Sequence, residues 1–150
     1  MSIEKETKTK KFENIYHKSI INCMFTNSWL EHNQMQFFKK YDLSIQQFNV
    51  LRILKGQYPF GLKLVDIAQR MIDRNSNATR IIDKLEEKKW VNRKINPQSR
   101  REVNIVITDS GMQVLTELDE KINHFLEEVF KQVNHDELEQ LNLILDKIRH

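Results

Sequence analysis

Glycine and proline are scarce in this sequence of 150 residues, which contains three glycines and two prolines. Long loops and all-β architectures both depend on these residues for their turns, so the composition favours a mainly helical fold. Cysteine occurs once, at Cys23, which excludes an internal disulfide and suits a reducing cytoplasm. A run of about 18 apolar residues is also missing, and the charged N-terminus lacks the apolar core of a signal peptide. We therefore expect one cytoplasmic domain without a membrane span.

Motifs that carry catalysis are missing as well. The sequence has no nucleophile motif, no glycine-rich phosphate loop and no paired-carboxylate pattern, so an enzyme is not expected. The five histidines form no His-x-x-x-His pair, which argues against a metal site. We therefore expect a protein that binds no metal and no other cofactor.

The charge of the chain is unevenly distributed, although its formal net value is only +3. Residues 74–101 contain nine Lys or Arg and three acids, which leaves +6. Residues 102–150 contain eleven acids and four bases, which leaves −7. A localised basic surface is typical of proteins that bind nucleic acid, although a solvated charged surface gives the same pattern.

Helical periodicity extends over both ends of the chain. Residues 9–40 carry apolar side chains near helical spacing, and Ser44 and Gln47 then form a capping box that begins a second helix. Near the C-terminus, Asn134 and Glu137 resemble another capping box that begins the last helix. The apolar stripes of these terminal helices are more easily buried against a second subunit than within one domain. The candidate dimerisation residues are Phe12, Tyr16, Leu138, Leu141, Leu145 and Ile148.

Between these ends the sequence predicts two short helices and a β-hairpin. A polar turn follows the first short helix, and Asp73 or Asn75 is a plausible N-cap for the second. Two strands, over about 91–95 and 103–107, come next and are joined by a seven-residue connection with a basic tip. Thr108 can cap the long helix that follows.

Two short helices followed by a hairpin with a basic tip are the winged-helix arrangement, here within a mainly α fold. The second helix of such a pair fits a major groove about 12 Å wide, and the hairpin, or wing, can then reach the DNA backbone or the minor groove. An ordinary polar helix face and a solubilising turn are the competing interpretations. The candidate DNA contacts are Asn75, Ser76, Asn77, Thr79, Arg80 and Lys84 from the helix and Arg93, Lys94, Arg100 and Arg101 from the wing.

Residues 64–111 resemble the core of the MarR family of bacterial transcriptional regulators. That core has a Leu-Ala helix, a Ser-x-x-Thr-Arg recognition helix that ends in Leu-Glu-x-x-Gly, a basic wing, and then Leu-Thr-x-x-Gly. The matches here are Ile67-Ala68, Ser76-x-x-Thr79-Arg80, Leu85-Glu86, Arg93, Arg100-Arg101 and Thr108-x-x-Gly111.

Three features depart from the family pattern. Lys89 stands where the family usually has the glycine that ends the helix, and a lysine there must adopt a left-handed conformation at some cost. The wing lacks the acids that often hold its arginines. Lys63 stands where the family often has a capping Thr or Ser.

The resemblance implies one MarR-type domain over residues 1–150, with a DNA-binding part over about 44–108 and dimerisation helices over about 9–43 and 109–150. It also implies a homodimer that binds a pseudo-palindromic operator in double-stranded DNA. Family members usually repress transcription, and they often release DNA when a small aromatic ligand enters a cleft between the two parts. The residues that could line such a cleft, or that could equally be ordinary core aromatics, are Trp29, Phe37, Phe38 and Tyr41.

Two alternative functions stay open. A winged helix can bind a protein instead of DNA, although such a partner has no need of the basic tip. One branch of the family senses organic peroxides through a cysteine in the first helix, which is where Cys23 lies. The surrounding sequence offers Cys23 no cation nearer than Lys18, so we expect a buried thiol that behaves as a small hydrophobic side chain.

Overall fold

The computed structural model describes residues 2–96 and 99–149, and the side chains of Asn96, Arg100 and Arg101 lie outside the described part. The described residues form seven helices and one three-stranded antiparallel sheet, which confirms the mainly α winged-helix prediction. The chain divides into two compact units, with the boundary between Phe48 and Asn49. The elements are α1 (Ile3–Glu6), α2 (Ile15–Lys39), α3 (Ile45–Lys55), β1 (Leu62–Lys63), α4 (Leu64–Arg70), α5 (Ala78–Glu87), β2 (Val91–Asn96), β3 (Ser99–Ile107), α6 (Asp109–Phe130) and α7 (His135–Arg149).

The long N-terminal helix begins at Ile15 and not at residue 9 as the periodicity predicted. Asn14 is its N-cap, and the side chain of Asn14 accepts the backbone N–H of His17 at 2.8 Å. This cap satisfies an N–H at the first turn, so the helix has a defined start there. Phe12 therefore precedes the helix, and its ring packs edge-on against His17 with the ring centroids 5.7 Å apart.

The predicted capping box at the start of α3 is confirmed. The backbone N–H of Ser44 donates to Oε1 of Gln47 at 3.0 Å, and the N–H of Gln47 donates to Oγ of Ser44 at 3.1 Å. Asp42, with φ of 51°, turns the chain between α2 and this cap. The second predicted box, at Asn134 and Glu137, shows the same reciprocal pair of bonds before α7.

The core of the second unit is built from the part of α3 after Phe48, from α4, α5 and α6, and from the sheet. Side chains at helical spacing on α5 point inward, since Ile82 and Leu85 are fully buried. The other fully buried large side chains of this unit come from the remaining elements and are Val50, Leu51, Leu54, Ile67, Val91 and Leu115. These contacts fix the position of α5 relative to the sheet that carries the wing.

The sheet has the strand order β1-β3-β2. The wing strands pair from Val91 opposite Ile107 to Ile95 opposite Val103, and the register is irregular beyond Ile95. β1, where Leu62 pairs with Ile105, was not predicted from the sequence. A strand of two residues is too short to show the alternation of apolar and polar side chains that indicates a strand. The prediction of a seven-residue connection between the two wing strands was also wrong. β3 begins at Ser99, so the backbone of Arg100 and Arg101 belongs to a strand.

Lys89 follows the end of α5 and adopts the left-handed conformation that the resemblance predicts there, with φ of 60°. The N–H of Lys89 donates to the carbonyl of Glu86, and the N–H of Trp90 donates to the carbonyl of Leu85, both at 2.9 Å. These bonds satisfy carbonyls at the end of the helix, as a glycine cap would. The lysine therefore makes the turn that ends α5 at the cost of an unfavourable backbone angle.

Candidate nucleic-acid interface

Three of the candidate DNA contacts lie on the exposed side of α5. Thr79, Arg80 and Lys84 are all exposed, whereas Ile82 and Leu85 are buried on the opposite side. Arg80 and Lys84 are four residues apart and so share one face of the helix. This face can offer a hydroxyl, a guanidinium group and an ammonium group to a partner.

The other three candidates from this segment precede the helix. Asn77 is the N-cap of α5, since its Oδ1 accepts the backbone N–H of Arg80 at 3.0 Å. The prediction of Asp73 or Asn75 as the cap was therefore wrong. Asp73 organises the turn instead: its carboxylate accepts the Ser76 hydroxyl at 2.7 Å and the Asn75 backbone N–H at 3.0 Å. Both bonds lower the pKa of Asp73, and the bond from the Ser76 hydroxyl has the larger effect.

Arg93 lies on β2 but its guanidinium group contacts α5. One terminal nitrogen donates to Oδ1 of Asp83 at 2.5 Å, and the other donates to Oε2 of Glu86. The bond to Asp83 is the largest of the effects that raise the pKa of Arg93. The wing lacks the acids that often hold its arginines, and Asp83 and Glu86 of α5 hold Arg93 instead. Helical spacing places Asp83 and Glu86 on one face of α5, which was the available signal.

The rest of the wing exposes basic and polar side chains together with the apolar Ile95 and Val103. Lys94 is exposed and pairs across the hairpin with Asn104. Toward the tip of the wing, Nζ of Lys63 donates to Oε1 of Glu102 at 2.6 Å, and this bond raises the pKa of Lys63. Lys63 is the N-cap of α4 without a capping side chain, so it holds β3 instead. The predicted contacts of the Arg100 and Arg101 side chains lie outside the described residues.

The four candidate ligand-binding aromatics do not form one exposed group. Phe37 and Phe38 are buried, and their rings pack against each other at a centroid distance of 5.1 Å. Tyr41 is half-buried and packs on Phe37 at 5.3 Å. Trp29 is exposed and lies eight residues before Phe37 on α2, which places it about 12 Å away along the helix axis. Phe37, Phe38 and Tyr41 are thus a packed cluster, and ligand binding stays a prediction.

Cys23 is exposed, so the expectation of a buried thiol was wrong. The reason is that most of the length of α2 is exposed, and only Phe37 and Phe38 of this helix are buried.

Within residues 2–96 and 99–149, no group of three or more His, Cys, Asp or Glu is arranged to hold a metal ion. No helix in that same part of the chain is both long and apolar enough to cross a membrane.

Comparison with known proteins assigns the family. The MarR family model matches residues 43–103. The regulator PapX of Escherichia coli is 28% identical over 126 residues, which cover 84% of this chain and 77% of PapX. The HTH-type transcriptional regulator YpoP of Bacillus subtilis is 32% identical over 107 residues, which cover 71% of this chain and 74% of YpoP.

A solved structure also has a similar fold. The crystal structure of the S. aureus MepR–DNA complex superposes with a TM-score of 0.72 at 24% identity, and the match covers 87% of this chain and 94% of that chain. The winged-helix core, the Ser-x-x-Thr-Arg segment at α5 and the Thr-x-x-Gly start of α6 agree with this assignment. The chain therefore belongs to the MarR family of transcriptional regulators.

Proposed function

We propose that two copies of this chain bind a pseudo-palindromic operator and repress transcription from it. The observation that carries the proposal is the exposed face of α5, where Thr79, Arg80 and Lys84 are free to meet a groove. MepR, a relative of the same fold, is known as a DNA complex, which supports DNA as the partner. A repressor of this kind acts in the cytoplasm, where the bacterial chromosome lies.

The recognition helix supplies base contacts in this proposal. Arg80 lies in the first turn of α5, and an arginine can bind the O6 and N7 atoms of guanine with two hydrogen bonds. Thr79 can bond a base edge or a phosphate, and Lys84, one turn further along, reaches toward the backbone. Ser76, Asn75 and Asn77 hold the turn before α5 and thereby set the depth at which the helix enters the groove.

The wing supplies sequence-independent affinity. Lys94 is exposed on β2, and Arg100 and Arg101 follow on β3. Side chains on a hairpin beside the recognition helix can reach phosphates or the minor groove, where a narrow A·T-rich segment concentrates negative potential. These three cations are therefore proposed as backbone or minor-groove contacts.

The dimer is proposed from the uncovered apolar side chains of α2 and α7. Tyr16, Ile20 and Met24, four residues apart on α2, are all exposed. None of the residues of α7, all of which the structure describes, is buried. Leu141 and Ile148 are exposed there, at positions that share a face of the helix with Leu138 and Leu145. A second subunit would remove these side chains from water, which is favourable at about 25 cal/mol per Å² of apolar area.

Electrophoretic mobility shifts test the proposal. Purified protein is titrated onto the region upstream of its own gene and onto a random duplex of equal length, at two salt concentrations. We expect tighter binding to the upstream region, and binding to both that weakens with salt at a log–log slope of about −0.9 for each phosphate contact. Failure to bind either duplex at low salt would contradict the proposal and favour the alternative of a protein-binding winged helix.

A further inference from the structure

The side chains on one face of β2 leave the protein core in steps. Val91 is fully buried, Arg93 is two residues on and reaches α5, and Ile95 is 65% exposed. Residues at this spacing lie on the same face of a strand. Arg93 is thus the point at which this face of the wing passes from the core into solvent. Its contact with Asp83 and Glu86 can therefore hold β2, and with it the wing, in a fixed orientation relative to α5.

The recognition helix needs a counter-charge. Its ten residues include two cations, Arg80 and Lys84, and three acids, Asp83, Glu86 and Glu87, so α5 alone has a net charge of −1. Carboxylates beside the DNA-facing side chains repel phosphates. Arg93 supplies a positive charge to two of those three acids.

The geometry points to Arg93 as a positioning residue that locks the wing to the recognition helix and neutralises Asp83 and Glu86, and not as a DNA contact. This inference rests on the proposed function and revises the role that the sequence suggested for Arg93. Both terminal nitrogens of the guanidinium group are already engaged, one by each carboxylate. These two ion pairs hold the guanidinium group against α5, so turning it away from the helix toward DNA would disrupt them. The structure thus separates Arg93 from Lys94, whose side chain leaves the opposite face of β2.

Three variants and a control separate these roles. Arg93→Gln removes the cation, Asp83→Asn/Glu86→Gln removes both acids, and the triple variant removes all three charges. Lys94→Gln is the matched control, since it removes an exposed cation one residue along the same strand. The DNA probe is a duplex that the wild-type protein selects from a random-sequence pool, titrated at several salt concentrations.

We expect Arg93→Gln to bind the selected duplex about tenfold more weakly, with a salt slope that flattens by less than about 1, because salt screens the repulsion from Asp83 and Glu86 but no phosphate contact is lost. The triple variant should recover most of that loss, because the uncompensated acids are gone. Lys94→Gln should instead flatten the slope by about 2, one contact in each of two protomers. A slope flattened by about 2 in Arg93→Gln, or no recovery in the triple variant, would overturn the inference.

Hydrogen exchange in the DNA-free protein tests the lock independently of DNA binding. Amides of β2 and β3 should exchange about threefold to tenfold faster in Arg93→Gln, while those of α6 should be unchanged. The double and triple variants should show the same increase and no more, because all three break one shared contact. Unchanged or additive rates would overturn the lock. If the wild-type protein selects no duplex, the proposed function fails, and the exchange rates still decide whether Arg93 holds the wing.

Discussion

The hydroxyl of Thr108 donates a 2.7 Å hydrogen bond to the carbonyl of Lys89. The same hydroxyl accepts the N–H of Gly111 at 3.1 Å, so one side chain both caps α6 and ties it to the end of the recognition helix. We expect Thr108→Val to lower the free energy of unfolding by about 1–2 kcal/mol, since it removes the cap and leaves the Gly111 N–H without that acceptor. Chemical denaturation measures the loss.

Thr116→Val is the control for this substitution. The Thr116 hydroxyl donates to the carbonyl of Met112 within the same exposed helical turn. Its loss should change stability by less than about 0.5 kcal/mol. Equal effects of the two substitutions would show that the tie between Thr108 and Lys89 contributes nothing.

The left-handed backbone of Lys89 predicts a stabilising substitution. Lys89→Gly should raise the free energy of unfolding by about 0.5–1 kcal/mol, because glycine adopts a φ of 60° without a steric penalty. Lys89→Ala removes the same side chain and keeps the strained angle, so it should bring no such gain. Thermal unfolding of both variants distinguishes relief of strain from removal of a charge, and a gain in Lys89→Ala would contradict the explanation.

Gly111 predicts the opposite result. A Cβ atom at this position would lie 2.3 Å from the carbonyl oxygen of Trp90, far inside van der Waals contact. Gly111→Ala should therefore destabilise the protein by about 1–3 kcal/mol as α6 shifts away. Gly56→Ala, for which the nearest atom is 3.5 Å away, is the matched control and should be tolerated. Comparable melting temperatures for the two variants would be inconsistent with this packing.

Features that depend on neighbouring residues could be predicted from the sequence. The capping box at Ser44 and Gln47 and the cap at Thr108 were both identified, because each joins residues three apart in the chain. The positive φ of Lys89 followed from the resemblance, since only the family pattern marks that position as a turn. The winged-helix fold followed from the order of such elements.

Features that depend on distant residues were missed. Arg93 reaches Asp83 and Glu86 only because the turn after α5 folds β2 back along the helix, and the charge count alone gave no hint of this pairing. The start of α2 was placed too early, because apolar periodicity does not reveal that Asn14 can cap the helix. Exposure of Cys23 depends on which parts of α2 are covered, which is also a tertiary property.

The proposed dimer can be tested on the last helix. Leu141→Asp puts a charge into the apolar face of α7, which costs several kcal/mol if a second subunit covers that face. Light scattering should then show a monomer or loss of the fold. Leu143→Asp makes the same change on the other side of α7 and should leave the dimer intact. A dimer that survives Leu141→Asp would exclude this face from the interface.

Arg80 tests the central claim most directly, because base reading by α5 depends on this side chain more than on any other of its exposed residues. The measurement is the affinity of wild type and Arg80→Ala for the selected duplex and for a random duplex at one salt concentration. Arg149→Ala, the same change in α7, controls for the loss of one positive charge. We predict that Arg80→Ala loses about 1–3 kcal/mol on the selected duplex and much less on the random one. Equal losses on both duplexes would contradict a base-reading recognition helix.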